Sequence, residues 1–136
     1  MEMLEPIIKK KPWWLVWAWW ARGATVTIYP CIYSPDGKLS DVVLAHELVH
    51  FGQQKETRSR LTWFLMYAFL PGFRREAELE AYAATIRYYV NHFQWTPVVK
   101  IWLVNELSGW TYMHMMSRRE AEKWVIETAS KIKREA

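Results

Sequence analysis

The stretch from Ala24 to Tyr33 has the clearest strand pattern of the chain, because most of its residues are β-branched or aromatic. Turn-forming residues follow directly at positions 34–37. Pro30 lies inside the stretch and cannot donate a hydrogen bond to a neighbouring strand, so the second half is predicted to lie at a sheet edge or in a bulge. We therefore predict one strand that is exposed along one side.

Apolar residues then recur at helical spacing, and five helices are predicted after the strand. Ser40 is a predicted N-cap, with Asp41 in the first turn. The predicted helices span about 41–54, 58–70, 74–93, 97–107 and 117–134. A capping box from Ser117 to Glu120 opens the last helix, and His92 is expected to cap the end of the third. This order predicts an α+β, mostly helical fold with a short sheet, in which residues 1–136 form a single domain.

The N-terminal region combines Lys9–Lys11 with an apolar run at 12–21, which holds five of the ten tryptophans. The run is far shorter than the ~20 apolar residues that span a bilayer. We expect residues 1–23 to pack as a tryptophan-rich segment on the domain; an interfacial membrane anchor of lysines and tryptophans is the alternative. The apolar run Leu61–Leu70 suits a buried helix for the same reason of length. Without a convincing signal peptide or transmembrane helix, a cytoplasmic location is expected.

Composition restricts the chemistry that the chain can perform. The single cysteine, Cys31, excludes an intrachain disulfide and a zinc site built from several thiolates, so a metal site would need histidines and carboxylates. Cys31 itself is expected to be a small buried hydrophobic residue. The formal net charge of +4 is modest. Basic residues of the last helix alternate with glutamates, which is typical of a solvated face, so no nucleic-acid partner is expected.

The chemical motif lies in the first predicted helix, as His46-Glu47-Leu48-Val49-His50. Residues four apart lie on one helix face, so both imidazoles can reach one metal ion while Glu47 can reach a water molecule beside it. The alternative is a helix that carries two hydrogen-bonded histidines. Apolar residues surround the motif on most sides, which predicts a central helix where unpaired polar groups would be costly. This context favours the metal.

A zinc site with an open position needs a third protein ligand. A histidine six residues after His50 would complete the other common arrangement, but that position is Glu56, and Gln53 stands where that pattern has glycine. The third ligand is therefore expected to be a carboxylate on another helix.

Three glutamates at 76, 78 and 80 lie on the third predicted helix. Helical phase turns Glu76 and Glu80 towards solvent and aligns Glu78 with an apolar and aromatic face. That face consists of Ala81, Tyr82, Thr85 and Tyr89. A lone carboxylate there needs a partner, either a metal ion or a buried arginine, and we favour the metal. The small residues of this helix would allow it to approach the histidine helix closely.

The motif at 46–50, with Gln53-Gln54 after it and Glu-Leu-Glu-Ala-Tyr-Ala starting at Glu78, resembles the small bacterial and phage-borne gluzincin-type zinc metallopeptidases. The resemblance covers about residues 25–89. It implies a minimal zincin-like domain in which an exposed edge strand precedes the metal helix. It also implies Zn²⁺ as the cofactor, His46, His50 and Glu78 as its ligands, and Glu47 as the general base. Many relatives have Asp or Asn at the position of Tyr82.

The function implied by this resemblance is hydrolysis of peptide bonds in a peptide or protein substrate. Zinc would acidify a water molecule and polarise the scissile carbonyl, and Glu47 would move the proton to the leaving amine. The edge at residues 26–32 could pair with an extended substrate. Tyr112 and His114 are candidate oxyanion donors, although both are expected to be packing residues.

Two other classes of function stay open. One is a zinc-bearing interaction module without catalysis, which would have no use for a base at Glu47. The other is a helical protein that associates with membranes or nucleic acid through basic ends, and peripheral membrane contact through the tryptophan-rich N-terminus belongs to this alternative.

Overall fold

A computed structural model describes residues 5–12, 24–57, 59–109 and 115–136. The strands of these residues are β1 (Ile7–Lys10), β2 (Val26–Ile28) and β3 (Cys31–Ser34). The helices are α1 (Asp41–Glu56), α2 (Arg60–Phe69), α3 (Pro71–Asn91), α4 (Pro97–Ser108) and α5 (Arg118–Glu135). The predicted α+β, mostly helical class is confirmed. The tryptophan run at 13–20 and the oxyanion candidates Tyr112 and His114 lie outside the described residues.

The sheet has the order β1-β3-β2, with β1 parallel and β2 antiparallel to β3. The prediction of one strand over 24–33 is wrong, because the chain reverses at Tyr29 and Pro30 and forms a hairpin that pairs Ile28 with Cys31. The edge assignment is also reversed. The half after Pro30 is the central strand, and β2 is an edge strand of the described sheet. Pro30 has no ladder bond to lose, since it lies in the turn.

The strand β1 was not predicted, because a lysine-rich stretch does not resemble a strand by composition. It forms by parallel pairing, with Ile7 opposite Cys31 and Lys10 opposite Ser34. The backbone N–H of Lys11 extends this pairing by donating to the carbonyl of Ser34 at 2.8 Å. The strand places Lys11 at the buried side of the sheet.

Local signals position the helix ends well. The hydroxyl of Ser40 accepts from the backbone N–H of Val43, and Ser117 and Glu120 form the predicted capping box. His92 is the C-cap of α3, and its Nδ1 lies 2.7 Å from the carbonyl oxygen of Tyr88. The main difference is that α3 begins at Pro71 instead of 74, because proline is well suited to the first turn of a helix.

The apolar core lies between the C-terminal half of α3 and the helices α4 and α5. Its buried members are Tyr82, Ile86, Leu103, Val104, Leu107, Met116, Ala121, Val125, Ala129 and Ile132. The other half of α3 packs along α1, and α1 in turn contacts β2. The helix α3 therefore joins the apolar core to the part of the fold that carries the motif. Within the described ranges, no helix is long and apolar enough to cross a bilayer.

The expectation that α1 is a central helix surrounded by apolar contacts is only partly right. Its fully buried residues are Glu47, His50, Phe51 and Gln54, of which three are polar. Leu48 is 42% exposed, and the apolar residues at 42–45 are half-buried. The buried face of α1 is thus its polar face, and the partners of those polar groups define the site.

Candidate metal centre

The structure brings His46, His50 and Glu78 together, as the sequence predicted, with one ligand atom of each within 4.8 Å of the others. The Nε2 atom of His46 lies 3.4 Å from Oε2 of Glu78, and Nε2 of His50 lies 3.3 Å from Oε1. The helices α1 and α3 supply these three side chains from facing sides. The predicted helical phase of α3 is confirmed, since Glu78 is buried while Glu76 and Glu80 are exposed.

The two histidines are oriented by hydrogen bonds to their other ring nitrogen. The amide nitrogen of Gln53 donates to the carbonyl of Ala77 and to Glu80, so its oxygen faces Nδ1 of His50 at 3.0 Å. An amide oxygen only accepts, so this Nδ1 carries the proton and Nε2 of the neutral ring presents a lone pair.

The same tautomer follows for His46. Its Nδ1 lies 3.3 Å from the hydroxyl oxygen of Thr85, and that hydroxyl donates to the carbonyl of Ala81 at 3.4 Å. The ring of Tyr82 packs edge-on against His46 with centroids 4.4 Å apart. An aromatic ring and a threonine thus support His46 at the place where the resembled family has a carboxylate or amide.

The two oxygens of the Glu78 carboxylate differ in their partners. The hydroxyl of Tyr67 donates to Oε1 at 2.5 Å, whereas the buried Oε2 has no such donor and lies only near Nε2 of His46, at 3.4 Å. The buried-arginine alternative does not describe this contact, because Arg74 donates to the carbonyls of Tyr67 and Ala68. The carboxylate and the two imidazole lone pairs are acceptors that lie within 4.8 Å of one another, an arrangement that favours a cation among them, either a proton or a metal ion.

The pKa shifts in the cluster follow from the proximity of Glu78 to the two imidazoles. Burial alone would lower the pKa of His50, but the hydrogen bond and charge of Glu78 outweigh it and raise this pKa to about 9. Burial alone would raise the pKa of Glu78, but the two imidazoles hold it well below its usual range. The cluster is therefore a negative, buried acceptor site.

The donors of the cluster suit zinc. Ligands placed tetrahedrally around Zn²⁺ at bonds of about 2.0–2.1 Å stand about 3.3–3.4 Å apart. Nε2 of His46 lies 3.4 Å from Oε2 of Glu78, Nε2 of His50 lies 3.3 Å from Oε1, and one ligand atom of each residue lies within 4.8 Å of the others. Two imidazoles and one carboxylate are a donor set that zinc takes in catalytic sites with an open position.

Glu47 is buried next to this cluster, on the side of the sheet. Its Oε2 accepts a hydrogen bond of 2.6 Å from the hydroxyl of Thr27 in β2. Burial raises the pKa of Glu47, and the charges of His46 and His50 oppose that rise. Glu47 thus belongs to the site without being one of the three converging groups.

Lys11 is a buried cation that sequence reasoning had treated only as part of a basic terminus. Its side chain is 6% exposed, and burial lowers its pKa while the charge of Glu47 acts in the opposite sense. The pairing of β1 with β3 brings Lys11 to the motif, and no local pattern indicates such a parallel pairing.

The predicted free edge of the sheet is partly occupied. The side-chain amide of Gln54 donates to the carbonyl of Thr27 and accepts from the N–H of Tyr29, both at 2.8 Å. The guanidinium of Arg60 donates to the carbonyl of Tyr29 at 2.7 Å. An extended peptide could pair with β2 only beside these groups, so the expectation of an open edge over 26–32 is corrected to a shorter one.

Sequence reasoning missed several supporting residues of the site. Tyr67 lies in the apolar run 61–70, whose interpretation as a buried helix is wrong, since Trp63 is the buried residue of α2. Thr27 carried no chemical signal, and Gln53 entered the sequence analysis without a role of its own. Thr85 was placed on the correct face of α3, without a role. Trp63 stacks on Tyr67 and contacts the edge of His50, with ring centroids 5.0 and 5.8 Å apart.

Comparisons with models of protein families, with curated proteins and with solved structures found no match to this chain. The resemblance to gluzincin-type peptidases therefore depends on the residues and geometry described above.

Proposed function

We propose that the protein is a zinc-dependent peptidase, most simply an endopeptidase, that uses Glu47 as its general base. The convergence of two imidazole lone pairs and one unpaired carboxylate oxygen, beside a buried glutamate that is not among them, is the observation that supports this proposal. A site that only ties helices together needs no such glutamate and is usually closed by a fourth ligand.

The proposed ligands are His46, His50 and Glu78. Zinc held there would supply a Lewis acid that acidifies water and polarises the carbonyl of the scissile bond. Gln53 and Thr85 keep the imidazoles in the tautomer that presents Nε2, and Tyr67 holds the second oxygen of Glu78.

Glu47 performs the proton transfers in this proposal. Its carboxylate accepts a proton from the attacking water and delivers it to the nitrogen of the leaving amine, so no covalent enzyme intermediate forms. The hydrogen bond from Thr27 fixes one oxygen of Glu47, and the charges of His46 and His50 act on the same carboxylate. A neutral-pH base benefits from burial, which raises its pKa.

Metal content tests the first half of the proposal. Protein purified without added zinc, or reconstituted and dialysed, is expected to hold about one Zn²⁺ per chain by elemental analysis. His46→Ala should lose most of this zinc, whereas His92→Ala, which changes an exposed cap, should retain it. Wild-type protein without zinc under both conditions would overturn the proposal.

A zinc-bearing interaction module is the second candidate. Two observations favour it: Glu47 is only 6% exposed, and Gln54 occupies part of the edge that an extended substrate would use. Cleavage of a peptide library by zinc-loaded protein, blocked by a chelator, separates the two candidates. A peptide or protein substrate, the absence of a nucleic-acid partner and a cytoplasmic location stay predictions.

A further inference from the structure

The helix α2 is apolar on two opposite faces. One face carries Trp63 and Tyr67, which pack against the metal centre. The other face exposes large apolar side chains at a spacing of about one turn. Leu61, Leu65 and Phe69 are four residues apart and are 67%, 49% and 76% exposed, and the C-cap Leu70, directly after Phe69, is 50% exposed. We call these four residues the α2 stripe.

A helix that is apolar all round is normally buried in a protein core or in a membrane. The helix α2 has ten residues, about half the length that spans a bilayer, so insertion across a membrane is excluded for it. The remaining environment for such a face is an interface, in which a short helix lies flat with its apolar side chains among lipid tails or against a protein.

The charge of the residues around α2 favours a lipid surface over a protein as the partner of this face. From Thr57 to Arg75 the sequence holds four basic residues and no acidic one. Among the described ones, Arg60 at the start of α2 is exposed, Arg75 beyond its end is half-buried, and Arg74 is buried and so does not contribute to the surface. Bases beside an exposed apolar helix face complement the anionic headgroups of a lipid surface. A second copy of the chain would bring two like-charged stretches together, which disfavours it.

We propose that the α2 stripe docks the protein on anionic lipid surfaces. Lipid docking is independent of the proposed peptidase function, because it involves the outward face of α2 and requires neither zinc nor a substrate. It rests on other residues than those of the tryptophan-rich N-terminal segment. Since the inward face of α2 contacts the metal centre, docking would hold that centre close to the headgroups.

The test is co-sedimentation of the full chain with vesicles, without substrate. Binding is expected to vesicles of phosphatidylserine and phosphatidylcholine, to weaken with added salt, and to be much weaker to phosphatidylcholine alone. Leu61→Ser/Leu65→Ser should weaken the binding at least about tenfold, because two exposed leucines lose their contact with lipid tails. Phe69→Ser is a second variant in case the double change alters the fold, which circular dichroism would show.

The matched control is Val98→Ser/Ile101→Ser on α4. Both side chains are exposed, at 76% and 52%, and removing them deletes a similar apolar area elsewhere. Binding within about twofold of wild type is expected for this control. The proposal is overturned by any of three results: no binding to the phosphatidylserine vesicles, an equal loss in the control, or unchanged binding in both α2 variants. A dimer that forms through the stripe and leaves the vesicles unbound would assign the face to a second copy instead.

Discussion

The two ends of α3 lie in opposite kinds of interior. Around its N-terminal half and α1, the buried polar and charged residues are Lys11, Thr27, Ser34, Glu47, His50, Gln54, Arg74, Glu78 and Thr85. Around its C-terminal half, the cluster formed with α4 and α5 consists of apolar residues and Tyr82. Among the described residues that follow Thr85 in the sequence, no polar or charged residue is buried.

This division separates stability from chemistry. Burying polar groups costs free energy unless hydrogen bonds compensate it, and the polar half leaves Oε2 of Glu78 without one. The apolar half has no such cost, and the burial of its side chains stabilises the fold. Because α3 belongs to both halves, this burial also stabilises the helix that holds Glu78. We expect changes in the apolar half to alter the free energy of unfolding, and changes in the polar half to alter zinc binding or hydrolysis.

The largest effect is expected in the apolar half. Leu103 is completely buried, so Leu103→Ala should lower the free energy of unfolding by about 2–5 kcal/mol through the lost burial and the cavity left behind. Denaturant unfolding measures this change. The folded fraction should still bind zinc at the wild-type stoichiometry. The exposed neighbour change Ile101→Ala is the control, and an equal loss in both would contradict the division.

The next effect concerns the third ligand. Glu78→Gln should weaken zinc binding by more than about 100-fold, because the loss of a ligand exceeds the usual effect of a supporting residue. Competition with a chromogenic chelator measures the affinity. Glu76→Gln changes an exposed glutamate two residues away and should have little effect. If Glu76→Gln were the damaging change, the assignment of Glu78 would be wrong.

The substitution Glu47→Gln tests whether catalysis and metal binding depend on different residues of the polar half. It should keep zinc and fold while reducing hydrolysis at least ~10²-fold, because glutamine cannot accept the proton of the attacking water. Turnover of a peptide identified from a library gives the measurement, and Glu76→Gln is an exposed control. Equal cleavage by wild type and Glu47→Gln would remove Glu47 as the base.

The smallest expected effect is that of Tyr67→Phe. The change removes the hydrogen bond to Oε1 of Glu78 and leaves the stacked ring on Trp63, so zinc affinity should fall about tenfold with little change in unfolding. Cobalt-substituted protein should show an altered visible spectrum, which a loss of packing alone would not produce. Tyr88→Phe, on the same residue type near the end of α3, is the control. Unchanged affinity and spectrum would show that Tyr67 does not position the ligand.

The sequence by itself determined the features that depend on neighbours within about one or two turns. Helix caps at Ser40 and Ser117, the common face of His46 and His50, and the inward phase of Glu78 all follow from helical geometry. The residues at positions 53 and 56 excluded the arrangement with a third histidine, and helical phase alone favoured Glu78 over Glu76 and Glu80.

Only the tertiary structure decided which distant segments meet. The parallel pairing of β1 with β3 and the contacts of Tyr67 and Gln54 join residues that are 11 to 27 positions apart. The hairpin at Pro30 pairs two further elements, β2 and β3. Hydrogen bonds of this kind depend on how strands pair and helices pack, and a single side chain's type carries no information about its partner across the fold. The sequence therefore identified the three groups that the fold brings together at the candidate metal centre. The fold alone decided what orients them and which edge of the sheet lies beside them.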